Sequence, residues 1–163
     1  MIVVSDASPL ISLAAVNRLD LLRELYGTVW IPESVFQEVA VADPERPGAQ
    51  EIRQADWISV RPVSDSVLVR ALRGELDLGE AEAIALAVEA RADLLLVDER
   101  LGRRAALRVG VRVLGILGVL IEAKSRALIP VIKPLLDDLL WKAGFRISSD
   151  LYERILREAG ERA

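Results

Sequence analysis

The chain has 163 residues, 52% of them hydrophobic, and a formal net charge of −4, which suits one full apolar core and argues against disorder. It contains no cysteine and no histidine, so disulfides, thiolate metal sites, cysteine nucleophiles, histidine bases and Ser-His-Asp triads are excluded. Any catalysis runs on carboxylates, hydroxyls, Lys, Arg, Tyr or a metal ion, and the acidic balance speaks against a surface that grips nucleic acid all over, though not against a local basic strip.

Met1 to Ser5 reads as a short buried strand, with Ser8 as N-cap and Pro9 as first residue of the helix that follows. A second helix is expected from Asn17 to Tyr26 and is ended by Gly27. Thr28 to Ile31 is a second strand, after which Pro32 opens a helix carrying Val35, Phe36 and Val39 inward. Asp43 to Gly48, with two prolines, is the clearest loop. A short helix around Gln50 to Ala55 and a strand at Trp57 to Val60 follow, and Ser64 or Asp65 caps another helix. Leu76 to Gly79 is a break. Glu80 to Ala90 is a helix that is apolar almost all round, Ala92 to Val97 a buried strand, Leu101 to Arg108 a helix and Val111 to Leu114 a last short strand. Strands alternating with helices predict a parallel α/β sheet. From Gly115 the pattern becomes helical, over Ile116 to Ala123, Val131 to Trp141 and Asp150 to Ala159. With no linker in view, residues 1–163 are read as a single domain, a core over 1–114 elaborated by helices over 115–163. No basic leader precedes the first strand, and Val109 to Ile121 is too short to span a bilayer; the expected location is the cytoplasm.

Four acids stand where a strand or loop hands over to a helix: Asp6, Glu38, Glu80 and Asp98. Asp6 and Asp98 follow buried apolar strands, whose carboxyl ends open into the ligand crevice of an α/β sheet. Carboxylates gathered there repel one another and call for a hard divalent cation. Glu80 lies above the apolar stripe of Ile84 and Ala87, which aims it at the strand ends. Glu82 points about 160° away round the helix axis, so the two do not reach one ion; Glu75, Asp77 and Glu99 are further rivals, Glu99 as an outer group beside Asp98. Each acid also has an ordinary reading, as a helix cap or a solvated side chain. Arg100, Arg104 and Arg108 recur at helical spacing and, with Arg103 and Arg112, form a candidate phosphate strip whose alternative is a solvated helix face. For Trp141, Phe145 and Tyr152 aromatic core packing is weighed above a partner surface.

The chain resembles PIN-domain proteins. The likeness rests on Val4-Ser5-Asp6-Ala7-Ser8-Pro9-Leu10-Ile11, on the Ile31 to Val39 segment with Glu38, on Leu76 to Ala87 with Glu80, and on Leu94 to Arg100 with Asp98. The eighteen-residue step from Glu80 to Asp98 matches the family and selects Glu80 over Glu82. The tail motifs, from Gly115-Ile116-Leu117-Gly118 through Leu128-Ile129-Pro130 to Leu151-Tyr152, are similar to a prokaryotic PIN subgroup. Two departures are that the third acid is Glu, where the family more often has Asp, and that Leu96 stands where the family often has a hydroxyl.

The resemblance implies a three-layer α/β/α fold with a central parallel sheet and an added C-terminal helical segment. It implies a Mg²⁺- or Mn²⁺-dependent ribonuclease in which Asp6, Glu80 and Asp98 ligate the ion and Glu38 holds a second ion or a water. Ser8, Arg100, Arg103 and Arg104 would contact substrate. Many such proteins are VapC-type toxins, homodimeric and neutralised by a small antitoxin. Two other classes stay open: a catalytically silent PIN-like module that binds nucleic acid or protein, and a phospho-acceptor receiver, whose paired acids and final lysine are poorly matched by Asp6 alone and Lys124. Nucleotide-binding enzymes are disfavoured because neither GxxxxGK[ST] nor GxGxxG occurs.

Overall fold

Five short parallel strands alternate with helices in a computed structural model that describes residues 1–162. In chain order they are β1 (Val3–Ser5), α1 (Ala7–Ala15), α2 (Asp20–Tyr26), β2 (Val29–Pro32) and α3 (Glu33–Phe36), which widens into a π-helical turn over Gln37–Val41. Next come α4 (Ala49–Gln54), β3 (Ile58–Arg61), α5 (Ser66–Leu72), α6 (Leu78–Glu89), β4 (Leu94–Leu96), α7 (Arg100–Arg108) and β5 (Val113–Leu114). Three helices end the chain: α8 (Ile116–Ser125), α9 (Lys133–Lys142) and α10 (Ser149–Glu158).

The sheet runs β3-β2-β1-β4-β5. Its three central strands are apolar at nearly every buried position, Ser5 excepted, because both faces are covered, the rule for parallel sheets. Successive side chains point to opposite faces, and the two cores follow that alternation. Val3, Val29, Ile31, Leu94 and Leu96 pack with α1, α2 and the three C-terminal helices. Val4, Leu95 and Val97 pack with residues of α6 and α7 and with Leu72 of α5. The result is the expected three-layer α/β/α arrangement, with the C-terminal helices sharing the first core.

The chain end is tied in by a charge. Lys124 Nζ donates to Glu161 Oε2 at 2.8 Å, and Glu161 also accepts the backbone N–H groups of Ile132 (2.7 Å) and Lys133 (3.1 Å). Among the described residues no helix is long and apolar enough to cross a membrane.

Local chemistry moves several boundaries. The first helix starts at Ala7 with Asp6 at its N-cap position, not at Ser8-Pro9; Pro9 still fits in the first turn, where its missing N–H would have no partner. The second starts at Asp20, because Asn17 adopts a left-handed φ of 58°, which Asn tolerates. Gly79 falls inside α6 because Asp77 caps that helix. Trp141, weighed as core, is 87% exposed; Phe145 and Tyr152 do pack against the first core.

Gly48 has φ +88° and lies against Ala14, where a Cβ would collide with the Ala14 side chain. Gly48→Ala is expected to lower stability by about 2 kcal/mol, read as a reduced urea midpoint; an unchanged midpoint would contradict the close approach of this loop to α1.

Candidate functional site

The strand order reverses at β1: its neighbour on one side is β2 and on the other β4. Ligand crevices in open α/β sheets form outside the carboxyl ends of strands at such a point. Here the ladder pairs Ser5 with Leu96, and the Asp6 N–H donates to the Leu96 carbonyl at 2.9 Å. Asp6 and Asp98 therefore leave neighbouring strands side by side. A cleft of about 1000 Å³ opens over them, and Asp6, Ser8, Glu38, Asp77, Glu80, Asp98, Glu99 and Arg103 are among its lining residues.

Each acid is placed by a distinct device. Asp6 is 4% exposed and sits at the N-cap position of α1 without capping it. Asp98 Oδ1 accepts the N–H of Ile116, first residue of α8, at 2.8 Å, so it caps α8 rather than the helix that directly follows it. Its Oδ2 is buried with no hydrogen-bond partner. Glu80 shares a capping box with Asp77: Asp77 Oδ1 accepts from the Glu80 N–H at 2.8 Å, and Glu80 Oε1 accepts from the Asp77 N–H at 3.2 Å. Glu38 rides on the π-helical turn, a feature common at functional sites. The carbonyls of that turn are held by arginines: Arg46 donates to Glu38 O at 3.2 Å and Arg53 to Ala40 O at 2.6 Å.

Two glycines lie close against these acids. A Cβ on Gly102 would meet Glu80 Oε2 at 3.2 Å, and one on Gly115 would meet Asp98 Oδ1 at 3.0 Å and an Arg103 guanidinium nitrogen at 2.6 Å.

All four acids are harder to ionise than usual. Burial pushes Asp6 up to about 7, helped by the charges of Glu80, Asp77 and Glu38 and opposed by the Ala7 N–H. Burial is also the leading cause for Glu38, Glu80 and Asp98. Asp77 repels Glu38, while Arg46 opposes its rise; Asp98 is eased by the Ile116 N–H and Arg103. Arg103 and Arg46 offset only part of the negative charge of this cluster. Its all-oxygen donors and the unpartnered Asp98 oxygen fit a hard cation, although among the described residues no three acids are gathered closely enough to form a cage as they stand.

The rivals separate. Glu82 accepts the Ser34 N–H at 3.2 Å and Glu75 pairs with Arg108, and neither lines the cleft. Asp77 and Glu99 do line it; the Asp77-x-x-Glu80 spacing was a readable capping-box signal. Of the arginine strip, Arg103 reaches the cleft, whereas Arg100 and Arg104 are exposed and not among its lining residues. Among the described residues no lysine lines it, so the arrangement gives the receiver-like alternative no support. Sequence reasoning missed Arg146 and Arg154, which line the cleft from the C-terminal segment.

A family model described as a PIN domain matches residues 2–161. No curated protein matches the chain.

The raised acids fix the sign of a pH effect. Between about pH 4 and 7 the folded protein keeps a proton at Asp6 that the unfolded chain has released, so stability without added metal falls as pH rises through that window. Asp137 and Glu161, whose values are lowered, are ionised in both states above about pH 5 and drop out. Melting in chelator is expected to show a loss on the order of 2 kcal/mol from pH 5 to 8, with Asp6→Asn flattening the slope and raising the midpoint at pH 8. A midpoint that climbs with pH over this range would contradict the electrostatics of the cleft.

Proposed function

The chain belongs to the PIN-domain family, a nuclease-type fold, and from that premise we propose that it is a metal-dependent endoribonuclease, the toxin of a toxin–antitoxin pair. The observation that carries this reading is the meeting of Asp6 and Asp98 at the strand reversal, under one cleft with Glu80 and Glu38. Asp6, Glu80 and Asp98 would hold Mg²⁺ or Mn²⁺, with Glu38 holding a second ion or orienting a water. When bound, such an ion makes water acidic enough to attack at neutral pH and draws charge off the phosphoryl oxygens.

The chain's own groups supply the rest. Asp98 presents an oxygen with no competing hydrogen bond. Asp6, ionising near neutrality, is a carboxylate that a cation would hold in its charged form. Ser8 and Arg103 line the same cleft and would orient a phosphate. RNA is the expected substrate, and a small antitoxin and a second copy of the chain are the expected partners.

One observation favours a second reading. Glu80 and Asp98 already serve as helix caps, so a catalytically silent PIN-like module would keep them for stability. The two readings part on Mn²⁺-dependent RNA cleavage. The wild type is expected to cleave, Asp6→Asn/Asp98→Asn to lose more than about a hundredfold in rate, and Glu82→Gln to stay within about twofold, since it lies outside the cleft. A double variant as active as the wild type would defeat the nuclease reading. An inert wild type that gains no thermal stability from Mn²⁺ would favour the silent module.

A further inference from the structure

The cleft has a second chemistry, contributed entirely by the C-terminal segment. Phe145, Arg146, Ile147, Leu151 and Arg154 line it. Chain geometry sets them there. Gly144, at φ +68°, turns the backbone after α9, and the Phe145 N–H donates back to the Leu139 carbonyl at 3.0 Å. Phe145 is half-buried and packs against the first core while it lines the cleft, which makes it a fixed aromatic surface. On α10 the Ser148 hydroxyl accepts the Leu151 N–H at 3.1 Å, and Leu151 and Arg154, three residues apart, share a helix face.

The cations here are available. Arg146 has no ion pair among the described residues, and Arg154 has only a 3.9 Å contact to Glu158 between largely exposed side chains, which is worth little. Both cations line the same cleft as the acids. Its size, about 1000 Å³, is at the upper end for pockets that enclose one small ligand.

We propose that residues 145–154 form a binding wall for single-stranded nucleic acid, with Phe145 receiving an unstacked base and Arg146 and Arg154 holding the phosphates around it. Cations and an aromatic ring lining one cleft match a strand whose bases are free to stack on protein. A duplex keeps its base faces covered and offers Phe145 nothing. Ile147 and Leu151 extend the apolar surface under the base. The proposal deepens the nuclease reading and rests on it for what happens to the strand, but binding is measured without cleavage.

The test uses the full chain in chelator, with fluorescence anisotropy on a labelled oligouridylate, the matching oligothymidylate and a duplex of equal length, over a range of salt. Arg146→Ala/Arg154→Ala is expected to weaken single-strand binding at least about tenfold and to reduce the slope of log K against log salt by about 1.4, for two phosphates at roughly 0.7 each. Phe145→Ala is expected to weaken it by about fivefold to a hundredfold with the slope unchanged, and Phe145→Trp to bind like the wild type. Melting curves check folding, and Phe145→Leu replaces Phe145→Ala if that variant unfolds. Wild-type affinity and slope in the arginine variant, a duplex bound as tightly as the single strands, or no binding by the wild type would each overturn the wall. A protein that binds as expected yet cleaves nothing with Mn²⁺ sinks the nuclease reading alone; one that cleaves while the wall variants bind normally sinks the wall alone.

Discussion

Parallel pairing of β1 with β4 is the constraint from which the cleft follows. With Val3 opposite Leu94 and Ser5 opposite Leu96, the residues that leave each strand emerge together. Because β2 takes the other side of β1, the connections diverge to opposite faces and leave a gap at the strand ends. Two acids placed in that gap by sequence line one cleft. Helices and sheet cover them, so the charged forms are disfavoured by burial before any repulsion is counted.

The protein offsets this only in part. The Ala7 and Ile116 N–H groups and Arg103 favour ionisation of Asp6 or Asp98, yet both values still lie above normal. Glycines at 102 and 115 take no space where the carboxylates stand. If the acids were kept merely as caps, the neutral Ser, Thr or Asn would cap as well without repulsion. A set of acids, one buried and two partly so, that remains under-neutralised is therefore a cost to folding, and perturbed acids in a cleft are what functional sites accumulate.

The sheet was legible because its strands are short, β-branched or leucine-rich runs bounded by turn residues, and Asp6 and Asp98 could be placed by those strands alone. Glu80 was legible from helical periodicity, since Ile84 and Ala87 are indeed buried. Glu38, expected where a strand or loop hands over to a helix, lies instead in the π-helical turn that continues α3; that turn breaks the 3.6-residue period, so no regular pattern aims the side chain. Arg103, rather than Arg100 or Arg104, faces the cleft because rotation about α7 is decided by burial of Gly102, Ala105 and Ala106, small residues that carry weak periodic signal. Trp141 was misjudged since hydrophobicity says nothing about which side of α9 meets the core, and Leu135, Leu136 and Leu139 take it.

The C-terminal wall was illegible for a different reason. Arg146 and Arg154 reach the cleft through tertiary packing, across more than a hundred residues from Asp6, and no local pattern encodes that. Yet the connection is continuous in the structure. Asp98 holds the start of α8, Lys124 near the end of α8 holds Glu161 beyond α10, and Glu161 in turn holds the entry to α9. The same core takes side chains from β1, β4 and all three C-terminal helices. A shift of α8 would therefore disturb the acid at one end and the arginines at the other together. The tail is then not an appendage to the cleft: it supplies a cap for one of its acids and one of its walls, so its removal would be felt by Asp98 before it was felt by any ligand.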